Sequence, residues 1–214
     1  MSFNRFLEKT ITKSQRCQRN WDLSKNIPID DIKVMKTAVT DCSSKQNRVF
    51  YRCKFITNRD VIQQLYEVSD GHTYRDKVTR EWKVDKNPQL LANLVVAFIR
   101  DRDPSENSRT VEEREHGKYW SEKDEHADIT RDQNIALGIA SGYLTLTANM
   151  MGYSTGCCQC GDMKKMKEIL GEDEDILLTM GIGYAGQDKS RLEHHVTGRR
   201  MISFNKTILV DDVV

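Results

Sequence analysis

Arg16 and Arg19 stand three residues apart in the polar run Gln15-Arg16-Cys17-Gln18-Arg19-Asn20-Trp21-Asp22, a spacing that can present two guanidiniums to one anion. Arginine suits a phosphate because its planar fork donates two parallel N–H bonds. Taken alone, a solvated basic turn is the plainer reading. A second basic pair, Arg199-Arg200, lies near the C-terminus, and a phosphate held between the two clusters is the chemical alternative. Gly152 to Gly161 (GYSTGCCQCG) reads as a glycine-bounded polar turn. Its glycines let main-chain N–H groups approach a flat ligand with no Cβ in the way.

That turn carries Cys157, Cys158 and Cys160. Three close thiols could hold zinc or an iron–sulfur cluster, with Cys17, Cys42 or Cys53 as a fourth ligand. Tetrahedral sites, however, take four ligands and usually a Cys-x2-Cys knuckle. Adjacent Cys157 and Cys158 also point apart in an extended chain. Small residues packing beside a ligand are the favoured reading, and no metal is expected. His194-His195 beside Glu193 diverge in the same way, which predicts a solvated loop. Tyr119 and Trp120, in the charged middle, would stack on a ligand from a partner subunit or pin their own loop.

The elements that must position these residues follow from periodicity. Phe3, Phe6, Leu7 and Ile11 predict a helix ending near Ser14. Pro28 opens a second helix, with Asp30 and Asp31 in its first turn and Ile32, Met35 and Val39 as its apolar stripe. Asp41 to Asn47 is a loop, Arg48 to Thr57 a strand, and Val61, Ile62, Leu65 and Tyr66 mark a third helix. Gly71 to Pro88 has the profile of a surface or lid loop, and Leu90 to Ile99 that of a buried central strand. A long helix over 130–151 is rich in small residues (Gly138, Ala140, Ser141, Gly142, Ala148) that suit close approach of another backbone. A short helix ending at Gly171 and strands over Ile176 to Tyr184 and Lys206 to Val210 complete the reading. The class is α+β or α/β with one mixed sheet.

The 214 residues fit a single domain, with a lid or insert around 71–125 and a C-terminal extension around 187–214. A net charge of +1 gives no footprint for nucleic acid or an anionic membrane. Met1 to Leu7 is polar rather than a secretory signal, and Ile135 to Met151 is too short and too polar for a span. It is expected as a buried helix. Six cysteines without regular spacing suggest reduced thiols and a cytoplasmic protein.

The order of these pieces resembles the FMN-dependent nitroreductase family. The family's Arg-x-Ser-x-Arg/Lys-x-Phe element after its first helix is matched by the run 15–22. Cys17 stands for the serine, Arg19 for the second basic residue and Trp21 for the phenylalanine. Gln15 replaces the leading arginine, or Arg16 serves for it. Ile27-Pro28 matches the family's Ile-Pro, and Cys42-Ser43-Ser44-Lys45-Gln46-Asn47-Arg48 its Pro-Ser-Ser-x-Asn-x-Gln loop. Met151-Gly152-Tyr153 resembles Leu-Gly-Leu, and Ile182-Gly183-Tyr184 the strand ending in Ile-Gly-Tyr.

The resemblance implies a three-layer α/β/α fold, its central mixed and mostly antiparallel sheet flanked by helices, in a homodimer with FMN at the subunit interface. Arg16, Cys17 and Arg19 would meet the flavin edge and phosphate, with Arg199 and Arg200 as the C-terminal basic residues. Ser43, Ser44 and Asn47 would meet the pyrimidine or ribityl groups. The backbone of Cys157, Cys158 and Gln159 would donate beside N5 and O4, with no certain side-chain acid or base. The implied activity is ping-pong transfer of a hydride from NADH or NADPH through FMN to a nitroaromatic, quinone or flavin, a small aromatic acceptor. The alternatives are a reduced-flavin enzyme of the same family, flavin-fragmenting or dehalogenating, and a cysteine-rich metal-binding module without redox turnover.

Overall fold

A computed structural model describes residues 2–47, 49–76, 78–101, 122–194, 197–200 and 210. Five α-helices and six strands are numbered here in chain order. Helix α1 spans Phe3–Ser14 and starts at Ser2, whose hydroxyl accepts from Arg5 N–H. Helix α2 (Ile29–Thr40) follows Pro28 and buries Ile32, Met35 and Val39, the stripe its sequence predicts. Helix α3 (Arg59–Glu67) is capped by the Asn58 side chain, which accepts from Asp60 and Val61 N–H and so satisfies two orphan donors of its first turn. The long helix α4 runs Glu122–Met150. Helix α5 (Met163–Leu170) is capped by Asp162 and stops at Gly171, whose φ of 62° lies in the left-handed region that glycine enters freely.

Four strands form one sheet in the order β1 (Tyr51–Ile56), β4 (Leu94–Arg100), β6 (Ile176–Gly183), β5 (Ser154–Cys158), each pair antiparallel. The central β4 is apolar on both faces because both are covered. Leu94, Val96 and Phe98 join Ile32, Met35, Ala140 and Leu144 beneath α2 and α4. Val95, Ala97 and Ile99 join Ile62, Leu65, Met166 and Leu170 beneath α3 and α5. The result is the expected three-layer α/β/α arrangement.

Several expectations are corrected. The run 152–161 is not a turn: Ser154–Cys158 is an edge strand, because pairing with all of Thr179–Gly183 outweighs the weak strand propensity of its glycines. The stretch 71–88, expected as a surface or lid loop, carries a hairpin, β2 (His72–Arg75) paired with β3 (Trp82–Asp85). The apolar run from Leu90 begins as a single tight turn over Pro88–Leu91, and the strand starts only at Leu94. Helix α4 begins eight residues before the expected start at 130. It is not wholly buried either, since Ile135, Tyr143 and Met150 are exposed. Residues 206–209 of the expected last strand and the pair Tyr119–Trp120 lie outside the described residues. Among the described residues, no helix is long and apolar enough to cross a membrane.

Candidate functional site

The segment 15–22 crosses the open edge of the sheet and is fixed there from both ends. Gln18 N–H donates to the Thr155 carbonyl of β5 at 2.8 Å, and Asp22 N–H to that of Tyr184 at 2.9 Å. Trp21 is buried and its indole Nε1 donates to the Pro88 carbonyl at 2.8 Å. Asn20 accepts from Gly186 N–H through its carbonyl, and its Nδ2 donates to Asp188 Oδ1 at 3.0 Å. The glycines facing each other across β5 and β6 make this crossing possible. A methyl on Gly156 would lie 2.9 Å from the Gln18 carbonyl oxygen, and one on Gly181 only 2.0 Å from that of Gln89. At Gly156 and Gly181 the missing Cβ thus admits other parts of the same chain.

With Gln18, Asn20 and Trp21 turned inward, Arg16 is left exposed and Arg19 half-buried at the rim. A third guanidinium joins them. Arg191 Nη1 donates to the Cys17 carbonyl at 3.5 Å. Burial and then the charges of Arg16 and Arg19 hold the Arg191 guanidinium below its ordinary range. Among the described residues, no carboxylate pairs with Arg16, Arg19 or Arg191. Three like charges gathered without a counter-ion repel one another, and such a cluster is suited to a multiply charged anion. Arg191 carries no spacing signal in the sequence.

The other C-terminal arginines are placed differently. Arg199 Nη1 lies 3.2 Å from Asp85 Oδ2 of the hairpin, and its guanidinium sits over the Tyr74 ring. Arg200 is exposed and its backbone bridges to Glu193. His194 corrects the expectation of a solvated loop. It is fully buried, with Nε2 2.8 Å from the Lys86 carbonyl and Nδ1 3.2 Å from Thr197 N–H. Because Nδ1 accepts from an amide, Nε2 is the protonated nitrogen.

Beside the arginines, the Thr155 carbonyl faces outward to Gln18, and backbone groups alternate along an antiparallel strand. The Cys157 amide therefore also faces the outer edge of β5. The thiol of Cys157 lies near Thr145 and Cys17. Cys158 takes the opposite face, where its sulfur accepts from Asn87 Nδ2 at 2.6 Å and from Cys160 N–H at 3.0 Å. Burial pushes this thiol up to about 12. Gln159 Nε2 donates to the Leu177 carbonyl at 2.7 Å. Among the described residues, no three His, Cys, Asp or Glu side chains are grouped to hold a metal ion.

Ser43, Ser44 and Asn47 are not brought to this cluster. Their loop is tied by Lys45 to the buried Asp132 at 2.9 Å, near the start of the described side chains of α4. The end of α1 instead lies along Gly138, Ser141, Gly142 and Thr145, with which Ser14 and Gln15 line a groove of about 580 Å³. From Asp132 to Ser141 the helix rises about 14 Å at its usual pitch. The two predicted halves of the site thus sit at different levels of one helix.

The model of the Nitroreductase family matches residues 12–184. A nitroreductase-like protein from Streptococcus mutans shares the fold at a TM-score of 0.65 and 16% identity, covering 98% of each chain. Nitroreductase A from Vibrio parahaemolyticus superposes at 0.60 with 17% identity, covering 94% of this chain and 78% of its own. A protein from Exiguobacterium sibiricum described as a nitroreductase, solved in complex with FMN, superposes at 0.59 with 17% identity over 90% of this chain and 93% of its own. A comparison with curated proteins finds no match.

Proposed function

This chain belongs to the nitroreductase family, and on that premise we propose that it is an FMN-dependent oxidoreductase. It would take a hydride from NADH or NADPH and deliver it to a small aromatic acceptor, a nitroaromatic, quinone or flavin, in the cytoplasm. The observation that carries this reading is the cluster of Arg16, Arg19 and Arg191, three guanidiniums with no carboxylate partner among the described residues, laid against the outer edge of β5. That cluster fits the phosphate of FMN, and the outward Cys157 amide fits a hydrogen-bond acceptor at a ring edge.

When bound, FMN supplies the redox chemistry, accepting a hydride from the nicotinamide and passing it to the acceptor. The protein's own part is to bind and orient. Arg16, Arg19 and Arg191 neutralise the phosphate. The main chain of Cys157 and Gln159 offers donors to the ring edge, and Trp21, anchored on Pro88, keeps the arginine segment in place. No side-chain acid or base is required. Ser43, Ser44 and Asn47 belong to a loop held at another level of α4, apart from the arginines that would hold the cofactor. They would reach it from a second copy, in a homodimer with FMN between subunits.

The test is direct. The purified protein, reconstituted with FMN and desalted, should retain near-stoichiometric flavin, seen in its near-ultraviolet and blue absorption bands. It should be bleached anaerobically by NADH or NADPH. Protein that elutes colourless and leaves FMN fluorescence unchanged in titration would rule the reading out.

A further inference from the structure

The two cysteines that flank Gln159 at the end of β5 stand in an arrangement that flavin binding does not use. Cys158 is buried and Cys160 is exposed. Between them the chain bends back. Cys160 N–H donates to Cys158 Sγ at 3.0 Å, and Cys158 S–H reaches the Cys160 carbonyl at 3.5 Å. Residues two apart in an extended chain are separated by roughly 6.6 Å and by less in a bent one. That falls within the Cα separation of about 4.4–6.8 Å that a disulfide accepts. Cys157, the third nearby thiol, faces the other side of the strand, toward Thr145 and Cys17.

We propose that Cys158 and Cys160 form a reversible disulfide site closed by hydroperoxides, with Cys160 as the attacking and Cys158 as the resolving thiol. Exposure selects Cys160, since an oxidant in solution meets it first, while burial keeps Cys158 protonated. The Cys160 thiolate attacks the peroxide oxygen, the O–O bond breaks, and sulfenic acid and hydroxide form. The Cys158 sulfur then attacks the Cys160 sulfur. The S–S bond forms, the S–O bond breaks, and the departing hydroxyl takes the Cys158 proton as water. The dithiol loses two electrons and two protons, and the hydroperoxide is reduced to alcohol or water. Asn87 Nδ2 and Cys160 N–H, both aimed at Cys158 Sγ, stabilise negative charge as that thiol loses its proton. Closure draws this sulfur away from Asn87, whose Oδ1 caps the 88–91 turn by accepting from Gln89 N–H at 3.0 Å.

The proposal is independent of the flavin reading and can be tested on the protein as purified. Reduced protein is exposed to a few equivalents of hydrogen peroxide, and its intact mass and peptide map are compared before and after. The expected result is loss of two hydrogens, reversed by dithiothreitol, with the link between Cys158 and Cys160. Cys157→Ser should retain the loss. Cys160→Ser, a change at an exposed position, should abolish it, and Cys158→Ser should leave a sulfenic acid on Cys160 that dimedone traps. Three outcomes would overturn the proposal: a wild-type protein that dimedone labels at Cys160 without closing the link, a link that requires Cys157 or Cys17, or no oxidation of either cysteine.

Discussion

A bound anion would offset the mutual repulsion of three neighbouring guanidiniums, so the arginine cluster makes its own demand at the residue scale. Removing one charged hydrogen bond costs about 1.5–3 kcal/mol, or roughly one to two orders of magnitude in affinity. Arg191→Ala and Arg19→Ala should each weaken FMN binding by at least about tenfold in fluorescence titrations, with the far-ultraviolet dichroism unchanged. An unaltered Kd for Arg191→Ala would remove it from the site. Arg199→Ala should act differently. It strands the buried Asp85, whose Oδ1 already lacks a hydrogen-bond partner, and losing one partner of a buried pair costs about 3–5 kcal/mol. A lower denaturation midpoint with FMN affinity retained in the folded protein is the expected outcome. That Arg16 and Arg19 stand near each other was legible because they share one short segment. Arg191 was not, since nothing local marks a residue that meets Cys17 across 174 positions. His194 was misjudged for the same reason. Its partner, Lys86, comes from the hairpin connection, and a histidine pair reads as solvated until that neighbour is known.

At the scale of elements, α1, α2, α3 and α5 could be read from caps and periodicity, because helix signals are local. The strand β5 could not, because it exists through pairing with β6, and its one glycine, Gly156, serves the crossing of segments from residues 18 and 89. One junction between elements has a measurable signature. Glu172, just past α5, is buried against Arg52 and Lys54 of β1 and holds the end of the helix to the edge strand. Hydrogen bonding from Arg52, then from Lys54, brings its carboxyl down to about 2. A carboxylate whose folded pKa is depressed contributes stability that is complete above its unfolded value, about 4.3. That contribution disappears as pH falls through about 2. Urea midpoints of the wild type should therefore drop between about pH 5 and pH 3 more steeply than those of Glu172→Gln. Parallel profiles for the two proteins would show that the ion pair adds nothing to the fold.

At the scale of the whole molecule, the longest helix, α4, keeps exposed apolar residues beside the groove it shares with the end of α1. Ile135, Tyr143 and Met150 are exposed on α4, and a Cβ at Gly138 or Gly142 would meet no atom of the described residues within 4 Å. Glycine inside a helix costs about 1 kcal/mol relative to alanine, so two of them on an open face call for a reason outside the chain. The separation along α4 between the 43–47 loop and the 16–19 segment fits the same proposal, in which each would meet a cofactor lying between two chains. A homodimer built on this face satisfies both demands. Sedimentation should accordingly show a dimer that persists at nanomolar concentration. Gly142→Leu separates assembly from folding. Within one chain the larger side chain has room and improves helix propensity, whereas a close-packed partner would be overfilled. The variant should keep its helical dichroism, sediment as a monomer and release its flavin. A variant that remains dimeric and flavin-loaded would place the interface on another face of the molecule.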